Sequence, residues 1–195
     1  MAVAGQVLTG FSLPYIALYT NTSGSVSYSS GQLLARGVSV NLEVESASDD
    51  NIFYADNVQA EVVAGQFTGG TATLTVDGLK ASAESLLLGL PTADGNGWVA
   101  YGDSMSIPYV GLGFICRYMS EGVESWVPMV LTKCRANTPN LSANTQEEEI
   151  DWQTQEIEFS VLRDDSSNHT WKVVGSACTT EALASSAIKT YLSIS

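Results

Sequence analysis

"GVSVNLEVES", residues 37–46, decides the fold class. Val38, Val40, Leu42 and Val44 alternate with Ser39, Asn41, Glu43 and Glu45. Successive side chains of an extended chain point to opposite faces, so this period predicts a strand with one apolar face and one polar, acid-bearing face. The same period continues outward. "SASDDN" (46–51) is a polar turn, and "IFYADNVQAEVV" (52–63) predicts a second long strand. "GQFTGG" (65–70) marks another turn, after which Thr71, Thr73 and Thr75 alternate with Ala72, Leu74 and Val76.

The pattern changes in "DGLKASAESLLLGLP" (77–91). Leucines at helical spacing predict a helix with Asp77 as its N-cap and Gly89 and Pro91 as its stop. "YVGLGFICRYM" (109–119) and "ESWVPMVLTKC" (124–134) predict two strands turning at Glu121-Gly122. "RDDSSN" (163–168) is a turn before a last strand in "NHTWKVVGSA" (168–177), and "TTEALASSAIKTYLS" (179–193) is an amphipathic helix with Ala184, Ile188, Tyr191 and Leu192 on one face. The expected fold is mainly β: an antiparallel β-sandwich or small barrel with a flanking helix and a C-terminal helix. It forms a single domain over 1–195, with residues 1–13 an arm available to a neighbouring copy.

The most acidic stretch is "EEEIDWQTQEIEFSV" (147–161), six carboxylates in a strand-like segment without a cation. Ile150 and Trp152 fall on even positions and Ile157, Phe159 and Val161 on odd ones, which predicts a bulge or bend near 153–156. Glu156 and Glu158 then share the polar face, as Glu43 and Glu45 do on theirs. Across the chain, 21 acids face 8 scattered bases, a formal net charge of -13. Binding to nucleic acid or an anionic membrane needs clustered cations, so neither is expected. No run reaches membrane-spanning length, and the apolar N-terminus lacks the basic residues of a signal peptide. Cys116, Cys134 and Cys178 lack metal-ligand spacing and are expected as free thiols.

Catalytic motifs fare poorly. "GDSMS" (102–106) resembles a hydrolase nucleophile block, but the only histidine, His169, is not at the spacing from Asp165 that such sites use, and the context is all-β. "DGNGW" (94–98) begins like a calcium loop, yet Trp98 and Met105 stand where oxygen ligands are required. No cofactor or metal is expected. The enzymatic alternative is a β-jelly-roll glycoside hydrolase, with Glu156 or Glu158 opposed by Glu43 or Glu61. A surface adhesin would need an export signal.

Several stretches taken in order carry a resemblance: "GFSLPYIALYT" (10–20), "FYADN" (53–57), "SLLLGL" (85–90), "YVGLGFICRYM" (109–119) and "NTPNLSANTQEEEIDWQTQEIEFSV" (137–161). The chain resembles the phi13-type major tail proteins of bacteriophages with long non-contractile tails. The resemblance implies a tail-tube fold, hexameric rings stacked into a hollow tube, an electronegative lumen through which genomic DNA passes without specific binding, and no catalytic residues. It implies as partners further copies of the chain and the tail tip or initiator, tape measure and tail terminator proteins. It implies a place in the virion tail after synthesis in the host cytoplasm. Some members carry an extra C-terminal immunoglobulin-like domain; as the chain stops at "KTYLSIS" (189–195), decoration tied to that domain is expected to be absent. Lumen-lining candidates are Glu43, Glu45, Thr71, Thr73, Thr75, Glu156 and Glu158. Candidates for contact with the next ring are Ser46, Ser48, Asp49, Asp50 and Asn51, with the N-terminal arm and 137–145 as further contacts. The tube of a phage-derived bacteriocin or gene-transfer particle would give the same sequence pattern.

Overall fold

A computed structural model describes residues 5–46, 51–55, 58–63, 66–102, 105–140, 145 and 152–194, with the backbone alone over 51–55 and 58–63. In chain order the elements are β1 (Val7–Thr22), β2 (Ser25–Leu33), β3 (Gly37–Ser46), β4 (Asn51–Ala55), β5 (Val58–Val63), β6 (Phe67–Val76), α1 (Ala81–Leu88), β7 (Tyr109–Ser120), β8 (Val123–Ala136), β9 (Gln155–Leu162), β10 (Lys172–Val174) and α2 (Glu181–Tyr191). One antiparallel eight-stranded sheet runs β2-β1-β7-β8-β9-β6-β3, with β10 also paired to β8; β4 and β5 form a separate hairpin. The expected mainly-β class with two helices is therefore the observed one.

The sheet must be rolled, and chain length shows why. β2 and β3 are the two ends of the seven-strand path, yet only residues 34–36 connect them. A flat sheet of seven strands would separate its end strands by about 29 Å at ~4.8 Å per strand. A three-residue connection spans at most about 14 Å. The edges therefore approach at this corner, where the Leu34 amide donates to the Pro14 carbonyl (2.8 Å). Gly37 at the start of β3 lies against the Phe11 ring of β1, and a Cβ there would stand 2.2 Å from the ring.

Rolling produces an inside and an outside. Leu74, Leu112, Leu131, Ile157 and Phe159 fill the interior, joined by Ala83 and Leu87 of α1. α2 lies on the outer surface, packing Ala184, Ile188 and Leu192 onto Tyr15, Ala17, Ile115 and Val130. Gly113 permits that approach, since a Cβ there would meet Ile188 at 2.5 Å. Thr180 caps α2 by accepting from the Leu183 amide (3.3 Å).

Several boundaries differ from the sequence expectation. The expected single strand over 52–63 is instead two antiparallel strands, Asn51–Ala55 and Val58–Val63. Gly69 and Gly70 of "GQFTGG" belong to β6 rather than to a turn, and Gly70 lies where a Cβ would meet the Glu43 carbonyl of β3 at 2.7 Å, so close strand approach is what it serves; Gly65 lies outside the described residues. Asp77 is not the N-cap of α1. Lys80 occupies that position without a side-chain cap, and Asp77 instead accepts from the Arg36 backbone and side chain (3.0 and 2.5 Å). The last strand shrinks to Lys172–Val174. The 16-residue β1 was illegible because Pro14 interrupts it. The ladder tolerates the proline by bulging between Ser12 and Tyr15, with Leu13 in the left-handed region (φ 49°). From Val7 onward, the segment expected as an arm pairs with β7 as the first part of this strand.

Candidate functional site: an acidic sheet face

In an antiparallel ladder directly paired residues share a face. The registers therefore assemble outward rows across three strands: Ser39–Thr75–Glu156, Asn41–Thr73–Glu158 and Glu43–Thr71–Ser160, with Glu45 opposite Gly69. All seven lumen-lining candidates thus share one continuous face of β3, β6 and β9. The intervening residues Ala72, Leu74, Val76, Ile157, Phe159 and Val161 point inward and are buried. Glu43, Glu45, Glu156 and Glu158 are exposed, while the three threonines are half-buried.

The order of the strands matters electrostatically. β6 places a threonine row between two carboxylate-bearing strands, so no glutamate on this face pairs directly with another. The two acidic strands are two spacings apart, about 10 Å. That exceeds the screening length of about 8 Å at physiological salt, and repulsion across the face is correspondingly damped. Local hydrogen bonds order the carboxylates further. Asn41 Nδ2 donates to Glu43 Oε1 (3.1 Å), and Asn137 clamps Glu158, its amide donating to the backbone oxygen and its Nδ2 to Oε1 (both 2.8 Å).

The acid face ends at β8, where Arg135 pairs with Ser160 and Lys133 with Leu162. Arg135 is exposed, whereas Lys133 is enclosed. Its Nζ donates to Asp165 Oδ2 (2.8 Å) and lies 4.7 and 5.2 Å from the Tyr109 and Tyr19 ring centroids. Tyr19 Oη also donates to Asp165 (2.7 Å). Burial pushes the Tyr19 hydroxyl up to about 12. The Lys133 and Tyr19 hydrogen bonds hold the Asp165 carboxyl below the usual carboxylate range. A depressed carboxyl stabilises the fold above its unfolded pKa, and that contribution disappears as pH falls through the folded one. Asp165→Asn is therefore expected to lower stability at neutral pH modestly and to flatten the stability loss below about pH 4. Urea melts at pH 7 and pH 3 check this; an equal deficit at both would refute it.

Ile157, Phe159 and Val161 are buried and Trp152 is 84% exposed, but β9 begins at Gln155 and pairs with β6 without a register shift. β9 thus carries no bulge; Trp152, expected on the apolar side, is exposed like Glu156 and Glu158, and Ile150 lies outside the described residues. Of the inter-ring candidates, Ser46 ends β3 and is exposed; Asn51 opens β4, its side chain lying outside the description, as do Ser48, Asp49 and Asp50. Val38 and Val44 are about half exposed because β3 is an edge strand, and only Val40 and Leu42 reach the core. The three cysteines are free, with Cys178 half-buried.

Asp103 and Ser104 of "GDSMS" lie outside the described residues. His169 sits in an exposed turn with φ 49°, its Nδ1 3.4 Å from the Asp164 carbonyl. Asp94 folds its loop by accepting from the amides of Asn96 and Trp98 (2.9 and 2.8 Å). Among the described residues no three His, Cys, Asp or Glu side chains converge as metal ligands, and no helix is long and apolar enough to cross a membrane. A polar recess of 380 Å³ lies beside the acid face, lined by Asn137–Asn140, Thr154, Glu156 and Glu158. Both of its carboxylates rise from one face of one strand, so they approach a ligand from the same side. No protein-family model matches the chain, and no curated protein matches it as a relative.

Proposed function

We propose that this chain is a structural subunit that assembles, as rings stacked into a hollow tube, the conduit of a phage tail or of a phage-derived particle. The observation that carries this reading is the single continuous face on which Glu43, Glu45, Thr71, Thr73, Thr75, Glu156 and Glu158 meet. A wall of hydroxyls and spaced carboxylates repels phosphates, and the exposed cation beside it, Arg135, is confined to its β8 edge. The resemblance to phi13-type major tail proteins supplies the assembly, with six copies bringing 6 × -13 = -78 formal charges to a ring. On this reading the tail tip, tape measure and terminator proteins are its partners, and it has no catalytic role.

Negative-stain electron microscopy of the purified protein, with and without the tip complex, tests it. Hollow tubes or rings are the expected result. Persistent monomers with the initiator present would remove the reading. The polar recess beside Glu156 and Glu158 favours one other reading, a glycoside hydrolase. Hydrolysis of a polysaccharide by the monomer, lost on Glu156→Gln, would establish it in place of the tube.

A further inference from the structure

A polar recess of 490 Å³ forms where three segments distant in sequence converge: β2 supplies Tyr28, the turn after β9 supplies Asp164, Ser166 and Thr170, and the end of α2 supplies Tyr191 and Ser193. Asp164 is only 6% exposed. Its amide donates to the Thr170 carbonyl (2.9 Å), and its Oδ1 accepts from the Ser166 amide and hydroxyl (3.2 and 2.6 Å). Among the described residues no group donates to Oδ2. Among those residues, too, no fully enclosed side-chain oxygen lacks a hydrogen bond, so Oδ2 opens onto the recess that Asp164 lines.

A carboxylate this enclosed ordinarily has a cation beside it. Among the described residues the ion pairs are Arg36–Asp77, Arg117–Glu124 and Lys133–Asp165, and no Lys, Arg or His lines the recess. Lys133 is turned to Asp165 and to the rings of Tyr19 and Tyr109. His169 meets the backbone carbonyl of Asp164 rather than its carboxylate. The rest of the wall also favours a positive ligand. Tyr28 and Tyr191 stand with ring centroids 5.9 Å apart and planes tilted by 42°, which offers a cation π surface. Burial, and after it the Asp164 charge, raises the Tyr191 hydroxyl above its ordinary value, as expected of a phenol close to that carboxylate. α2 reaches the recess with its C-terminal end, the negative end of its dipole, and Lys189 of that last turn lies over Tyr15 instead.

We propose that this recess binds a primary alkylammonium group, with Asp164 Oδ2 accepting from its N–H and the rings of Tyr28 and Tyr191 flanking its alkyl carbons. The donor must be compact. A guanidinium engages both oxygens of a carboxylate, and Ser166 already holds Oδ1. A divalent metal takes about six oxygen ligands, which one carboxylate between two rings does not supply. A quaternary ammonium has no N–H to give Oδ2. The same chemistry is carried by a free amine and by a lysine side chain of another protein. The recess shares no residue with the acid face, and the proposal does not rest on the tube reading.

Thermal unfolding of the full chain at pH 7 with butylammonium chloride tests it, against tetramethylammonium chloride at equal concentration. A dissociation constant on the order of 1 mM is expected, so that about 30 mM butylammonium raises the midpoint by about 4–8 °C relative to the control. Asp164→Asn keeps an oxygen for Ser166, removes the charge, and should weaken binding at least about tenfold. Tyr191→Leu, at an exposed position, removes one ring and should weaken it several-fold; it keeps the test open if Asp164→Asn does not fold. Nα-acetyl-lysine methylamide distinguishes the sources. A shift as large as that with butylammonium assigns the site to a lysine side chain, and a smaller one to a free amine. No shift with either amine, an equal shift with tetramethylammonium, or an undiminished shift in either variant would overturn the proposal.

Discussion

Replacing both Glu156 and Glu158 by lysine is expected to leave the chain folded and, on the tube reading proposed above, to obstruct DNA passage. Both side chains are exposed on the outward face of β9, between the buried Ile157 and Phe159. Exposed substitutions of this kind change stability by roughly 0.5 kcal/mol or less. The electrostatic change is far larger. Each copy gains four charge units, so a ring of six shifts by about +24, concentrated on one wall. Phosphates entering such a tube would exchange counterions for fixed ammonium groups and be retained. Particles carrying the double variant should show normal tails by electron microscopy, with a plaque titre reduced by about 100-fold. The isosteric pair Glu156→Gln and Glu158→Gln removes charge without adding traps and should be milder. Normal titre in the lysine variant would take these two residues out of the lumen wall.

The largest effect on stability is expected at Phe159. It is fully buried in the middle of β9, and its cross-strand neighbours are Ala72 on β6 and Ala136 on β8. The ring therefore fills space above two alanines, and Phe159→Ala would leave three small residues in a row across adjacent strands. Neighbours tied into ladders on both sides cannot collapse into that gap. The loss should fall in the upper part of the range for such truncations, about 4–5 kcal/mol. Urea denaturation should give a lower midpoint with an unchanged slope, since the surface exposed on unfolding is nearly the same. A loss below about 2 kcal/mol would mean the barrel interior relaxes more freely than its packing implies.

The two experiments probe the two sides of the same strand. Period-2 alternation makes β9 serve the interior with Ile157, Phe159 and Val161 and the outside with Glu156, Glu158 and Ser160. A one-residue slip against β6 would exchange the sets, placing carboxylates in the core and phenylalanine on the acid face. The threonine ladder of β6 and its buried Ala72, Leu74 and Val76 hold that register by the same rule.

Local chemistry alone determined much of this protein. Strands 37–46 and 71–76 announce themselves by alternation, the Glu121-Gly122 turn by its glycine, which takes φ 81°, and α2 by its apolar spacing. The acidic faces of β3 and β9 are legible for the same reason, because side-chain direction on a strand depends only on the strand itself. What the sequence could not convey is which strands are neighbours. That Glu43 and Glu158 share one face depends on β6 lying between β3 and β9, a pairing across some 80 residues of chain. β1 stayed hidden because its proline is accommodated only by a bulge against β7, and Asp77 left its predicted cap because Arg36, distant in sequence, offered a charged partner. The recess around Asp164 exists only once β2, the turn after β9 and the end of α2 are brought together. Alternation and propensity act within a few residues, whereas register and strand order are set by the burial of the whole core.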